Sequence, residues 1–168
     1  MRRLPFLLLA ALALSACDSG RPSDEPLPSR DDLIAAFGPQ APGEAAVRET
    51  GDRPRDYSAT AEHHTTVIVG SESTIATFRT VLDGPDALIT FIEERTYGDS
   101  LQVGSSLAVG VAYGGRGDGG RGNGRLHITS VEGDRISGVF AADLTSSGLL
   151  PGAWRVTGAF NATPRSTD

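Results

Sequence analysis

The sequence predicts an all-β fold, an antiparallel β-sandwich or small barrel of about seven strands occupying residues 57–163. Three observations predict it. From Tyr57 onward, short runs rich in β-branched and aromatic residues are broken by turn residues. Three of those runs alternate with period two, which places one apolar face on a core. No stretch between the runs has helical periodicity, so the strands have no crossover helices and must pair antiparallel.

The chain opens with Arg2 and Arg3 followed by Leu4–Leu14, apolar throughout apart from the kink-prone Pro5. Eleven such residues span only about 16 Å as a helix, whereas a bilayer core needs about 20 residues. A basic start, a short apolar run and small residues after it describe a secretory leader over residues 1–16. Directly after it stands Cys17, the only cysteine in the chain.

Leu14-Ser15-Ala16-Cys17 resembles the lipobox of bacterial lipoproteins, whose pattern is leucine, a small residue, Gly/Ala/Ser, then cysteine. The resemblance implies that Cys17 receives a diacylglyceryl group on sulfur, that the leader is cut before it, and that the new amine is acylated. The membrane is then a partner through the anchor, since each buried methylene contributes ~0.8 kcal/mol and several chains hold where one does not. Asp18 resembles the aspartate that retains lipoproteins in the inner membrane of enteric bacteria; an outer-membrane destination stays open. The alternative is ordinary cleavage after Ala13 or Ser15, leaving an unpaired thiol in a secreted protein.

Residues 17–56 read as the acylated cysteine and a flexible tether, rich in Pro, Gly and charge. Within it, Ser29–Gly38 predicts one short helix. Ser29 caps it, Asp31 and Asp32 suit its positive end, and Gly38-Pro39 stops it. Leu33, Ile34 and Phe37 give it one apolar side, and so short a helix must dock or fray.

The strands are expected at Thr65–Val69, Thr74–Leu82, Ala87–Glu93, Leu107–Tyr113, Arg125–Val131, Ile136–Leu144 and Trp154–Ala162. Leu107, Val109, Val111 and Tyr113 share a face, as do Ile136, Gly138, Phe140, Ala142 and Leu144. Trp154, Val156, Gly158, Phe160 and Ala162 form a third. Glu132-Gly133-Asp134 supplies a tight turn between two of the strands. Gly138-Val139-Phe140 and Gly158-Ala159-Phe160 repeat G-x-F on the apolar face, where each missing side chain leaves room for a ring, Trp154 or the other phenylalanine. The run "GRLHITSVEGDRISGVF" with "WRVTGAFNA" resembles the C-terminal hairpin of uncharacterised bacterial lipoprotein β-domains, a likeness that implies a fold and no activity. Residues 164–168 read as a disordered tail.

Composition narrows the chemistry. The formal charge is −6 and becomes more negative once the leader is gone, which disfavours nucleic acid as a partner. All fifteen basic residues are arginine, so a P-loop lysine, a Schiff base and a Ser-Lys dyad are excluded. An acylated Cys17 leaves neither thiol nucleophile nor thiolate metal site.

No catalytic residue, cofactor or metal is assigned. His63 and His64 are adjacent and point to opposite faces of a strand, so a metal site would need Glu62, one of that pair and His127 to meet across strands. Glu93 and Glu94 are split in the same way. Gly114–Gly124, "GGRGDGGRGNG", spells a dinucleotide fingerprint without its strand-to-helix context. It also approximates a calcium nonapeptide but puts Gly124 where that needs an aspartate. It reads as a flexible hairpin loop, and Arg116, Arg121 and Arg125 are candidates to hold an anion or lipid headgroup from it. Asn161-Ala162-Thr163 has the form of a glycosylation sequon.

The expectation is a lipid-anchored envelope protein whose β-domain is a non-catalytic binding or interaction module. The alternative is a small hydrolase or metal-dependent enzyme using Glu62, His63, His64, Glu93 or His127. Convergence of those side chains in one concavity discriminates the two.

Overall fold

The structure is a computed structural model that describes residues 25–52, 54–69, 74–96, 100–115, 119–146 and 152–165. Residues 1–24, among them Cys17 and Asp18, together with Tyr97, Arg116 and residues 166–168, lie outside the described residues. One helix, α1 (Arg30–Phe37), precedes eight strands: β1 (Glu44–Gly51), β2 (Arg55–Val69), β3 (Thr74–Asp83), β4 (Ala87–Thr96), β5 (Ser106–Gly115), β6 (Gly119–Glu132), β7 (Arg135–Ser146) and β8 (Ala153–Pro164). Each strand pairs antiparallel with the next, and β1 pairs with β8, so the sheet closes into an up-and-down barrel. The all-β expectation therefore resolves to a barrel, with one strand more than expected.

The extra strand is β1, and it corrects the boundary of the tether. Residues 17–56 are not all linker, because Glu44–Gly51 is paired on both sides and Arg55 opens β2. Its inward residues are Ala45, Val47 and Glu49, two small apolar groups and a carboxylate, too weak an alternation to read as a strand. Its neighbours supply the hydrogen bonds and the burial. At the other end, Pro164 belongs to β8 and the Arg165 N–H donates to the His63 carbonyl at 2.9 Å, so the sheet reaches into the expected tail.

Gly114–Gly124 is likewise not one open loop. Gly119–Gly124 is strand: Gly119 pairs with β5, and Gly120–Gly124 pairs with β5 and β7 at once. Its glycines at 120, 122 and 124 alternate with outward residues, and the Gly120 Cα lies under the Trp154 indole, where a β-carbon would collide with the ring. Glycine here serves close packing inside a strand rather than loop freedom.

The barrel is filled. Phe91, Phe140, Phe160, Leu82, Ile89, Leu126, Ile128 and Leu144 are fully buried, and the Phe91 and Phe140 rings sit 4.8 Å apart. Across β7 and β8, Gly138 stands opposite Phe160 and Phe140 opposite Gly158. A β-carbon on Gly138 would meet the His127 carbonyl oxygen at 2.5 Å and the Phe160 ring at 2.8 Å, and one on Gly158 would meet the Ala46 carbonyl oxygen at 2.2 Å and the Phe140 ring at 2.5 Å. Each glycine thus makes space for the other pair's ring, which is the exchange the G-x-F repeat predicted.

Outside the barrel, α1 packs on β7 and β8. Its capping box is formed, the Asp32 N–H donating to Ser29 Oγ at 3.2 Å and the Ser29 N–H to Asp32 Oδ2 at 3.3 Å. Leu33 is buried against Val139, Ala141 and Ala159, with Leu27 and Phe37 alongside, whereas Ile34 remains exposed. Val139, Ala141 and Ala159 point outward from the sheet, so the helix is what gives these apolar outer-wall residues a partner. Ahead of it, Arg155 makes a two-pronged ion pair with Asp143 (2.7 and 3.1 Å) and donates to the carbonyls of Glu25 (2.6 Å) and Pro26 (3.1 Å). The chain is thereby fastened to the barrel wall before the helix begins.

Gly158→Ala is expected to destabilise the protein by about 1–3 kcal/mol through overpacking, read as a drop in Tm on the order of 5 °C. Combining it with Phe140→Leu should recover part of the loss, since the two sites share one space.

Candidate functional site

The two ends of the barrel differ. At the Trp154 end, period two on β1 and β2 aims Glu49, Arg55 and Tyr57 inward, and β5 contributes Tyr113. Glu49 is 1% exposed. It accepts from Tyr57 Oη at 2.7 Å, from Arg55 Nη2 at 3.0 Å and from Tyr113 Oη at 3.3 Å. Arg55 Nη2 also donates to Tyr113 Oη, and its guanidinium lies over the Tyr57 ring. Burial, then the hydrogen bond to the Glu49 anion, pushes the Tyr57 hydroxyl far above its ordinary range. Tyr113 meets Trp154 edge-on, with centroids 5.2 Å apart. The network closes this end with a buried charge that has its donors around it.

The opposite end is open. A cavity of about 320 Å³ lies there between the ends of β2, β3 and β4 and the β6–β7 turn, lined by His63, Thr65, Ala76, Phe78, Arg95, Ser100, Leu101, Val131, Gly133, Asp134 and Ile136. Pairing of β4 with β5 stops at Ile92–Gly110, while β3 and β4 stay paired to Ile75–Thr96. β2, β3 and β4 therefore project as a three-stranded wall past the filled interior. A bulge in β6 between Ile128 and Ser130 shifts the register and sets Val131 beside Ile136, so a residue of opposite parity joins the lining. The turn is Gly133-Asp134, Gly133 having a φ of 65°, and its Asp134 carbonyl accepts from His63 Nε2 at 2.6 Å.

Inside that wall Arg95 pairs with Glu93, Nε to Oε1 at 3.3 Å, both side chains largely covered. Burial raises the Glu93 carboxyl above its ordinary range, against the pull of Arg95. Among the described residues, Glu93 Oε2 and His63 Nδ1 are buried with no hydrogen-bond partner.

The candidates named from sequence do not converge. His63 and Glu93 face the interior at this end. Glu62 and His64 face out from β2, Glu62 lying 4.0 Å from Arg165. Glu94 is exposed on the outer face of β4. His127 stands on the outer wall across from Val139, its imidazole lowered by burial and then by Arg125 and Arg30. His64 is lowered by burial and then by Arg79 and Arg165. No group of three or more His, Cys, Asp or Glu side chains placed to hold a metal occurs among the described residues.

Arg121 and Arg125 are exposed on β6, opposite Ala112 and Ala108. Four residues of strand hold them about 13 Å apart, so the flexible loop expected to gather them is replaced by a rigid strand. Glu49 and Arg55 were missed by the sequence reading, which placed both in the tether. The signal for them was the spacing Ala45, Val47, Glu49 and Arg55, Tyr57, Ala59, Ala61.

Among the described residues no helix is long and apolar enough to cross a membrane. No known protein family, curated protein or solved structure matches the chain.

Glu49→Gln is expected to cost about 1–3 kcal/mol in chemical denaturation, because a buried carboxylate with three donors loses its charge-assisted bonds. Tyr57→Phe removes one donor only and should cost less.

Proposed function

We propose that this chain is a lipid-anchored protein of the bacterial cell envelope whose barrel is a non-catalytic binding module, taking a small molecule at the His63 end. The observation that carries the binding reading is the contrast along the barrel axis. The middle is packed with rings and the Glu49 network shuts one end, while the other end keeps a cavity with an apolar floor and a few polar groups. Barrels of eight strands are just wide enough either to fill with side chains or to hold one small ligand. Apolar walls with sparse orienting polar groups are the usual lining of a small-molecule site. Of Glu62, His63, His64, Glu93 and His127, only His63 and Glu93 face the interior at the cavity end, and the other three on the outer wall give the enzyme alternative no help there.

The anchoring reading rests on Leu14-Ser15-Ala16-Cys17, and Asp18 favours the inner membrane. Arg155 fixes the chain at Glu25 and Pro26 near the Trp154 end. Eight residues from Cys17 to Glu25 reach at most about 28 Å. A barrel so tethered stays close to the bilayer with its closed end nearest the attachment point and its cavity end open to the surrounding compartment.

Cys17→Ala should move the protein from the detergent phase to the aqueous phase on phase partitioning; unchanged partitioning would end the anchoring proposal. Toluene should perturb the NMR signals of Phe78, Leu101 and Ile136 in the wild-type protein, and Thr65→Trp at the cavity rim should suppress the effect. Perturbation spread over the surface, or undiminished in that variant, would count against the cavity as the site.

A further inference from the structure

We infer that the free edge of β2 beyond His63 takes an extended segment of another polypeptide as an added strand, with apolar side chains at alternate positions. The inference is independent of the small-molecule reading, because the affinity it describes comes from backbone hydrogen bonds along the edge.

Alternation along β2 says which way its peptide groups point. The Ala61 N–H donates to the Gly43 carbonyl at 2.8 Å, and the His63 carbonyl accepts from the Arg165 N–H at 2.9 Å. Residues 61 and 63 therefore turn their backbone groups away from β3. In an antiparallel ladder that direction recurs at every second residue, which sends the N–H and C=O of Thr65 and Val67 to the same side. The parallel partner β8 ends at Pro164, and its last pairing is with His63. Among the described residues no hydrogen bond reaches the Thr65 or Val67 backbone from that side. On the other side β3 stays paired as far as Val69–Thr74, so this stretch is held as a strand.

The two free edges of the projecting wall differ. Past Ile92, where β5 leaves it, β4 carries Glu93, Glu94 and Arg95, and charges on an edge discourage another chain from pairing there. β2 runs Thr65-Thr66-Val67-Ile68-Val69, with neither charge nor proline, and Val67 is 43% exposed. A bare, β-branched edge of this kind is a template for strand addition. An extended backbone matches it, offering donors and acceptors at the same repeat of about 7 Å.

The side chains follow from what lies under the added strand. Val67 stands opposite Ala76 on the inward face, and Thr65 and Ala76 line the cavity with Phe78, Val131 and Ile136. Alternate residues of the added strand project to that face, where an apolar side chain is rewarded and a charged one is not.

The test titrates the full mature protein with a fluorescently labelled heptapeptide, Ser-Val-Thr-Val-Thr-Val-Ser, blocked at both ends. Two further versions are N-methylated, one at the valines and the other at the threonines. Only one alternate set of peptide N–H groups can face β2, so one version should bind at least tenfold more weakly and the other as the parent does. Val67→Pro removes an edge N–H that β3 does not use, and should weaken the parent peptide at least tenfold with little change in Tm. Should it fail to fold, Val67→Lys is expected to do the same by placing a charge on the edge. Equal binding of both methylated versions, or no binding of the parent, would overturn the inference. So would a dimer that Val67→Pro abolishes, which would give the edge to a second copy, or tighter binding once residues 166–168 are removed, which would give it to the chain's own end. Toluene entering the cavity while the peptide fails to bind would overturn this inference and leave the small-molecule reading standing.

Discussion

Everything in this molecule depends on the double pairing of Glu44–Gly51. Hydrogen-bonded to β2 on one side and to β8 on the other, this strand turns an eight-stranded meander with two open edges into a closed wall. Closure satisfies the edge backbone groups that would otherwise invite pairing with another chain. It also sets the diameter, and the diameter sets how much side-chain volume the interior admits. β1 is shorter than its neighbours, and beyond its start β2 and β8 come together in parallel at Glu62–Thr163 and His63–Pro164. The short strand thus acts as a wedge that tapers the barrel toward the His63 end.

Within a fixed diameter the core is a problem of volume. Two phenylalanines and a tryptophan fit because their neighbours are small: Gly138 against Phe160, Gly158 against Phe140, Gly120 against Trp154. Alternating large and small residues across facing strands is how narrow barrels fill without strain. The filling stops where β4 leaves β5, and the cavity lies where it stops. The site is therefore a consequence of unequal strand lengths as much as of the residues that line it.

The two ends also divide the polar chemistry. Glu49 is buried with three donors around it, so its charge is a structural asset that holds β1, β2 and β5 in register. His63 and Glu93 are buried with atoms to spare. Polar groups with their partners in place rigidify a fold. The Glu49 network keeps a spare atom too, Arg55 Nε, so what separates the two ends is the Glu49 charge with its three donors at one and the cavity at the other.

The sequence by itself determined the fold class, the short capped helix with its boundaries, the turn at Gly133-Asp134, and the inward faces of β5, β7 and β8. Those features follow from local periodicity and capping chemistry, which are properties of neighbouring residues. Tertiary structure alone decided closure into a barrel, the membership of β1, and the conversion of Gly119–Gly124 into strand. Each of these depends on what lies across the sheet: a partner strand for Ala45, Val47 and Glu49, an indole over Gly120. The meeting of His63, Arg95, Val131 and Asp134 was equally invisible, since they come from three strands and a turn, and only the register of the pairing and one bulge bring them to the same mouth.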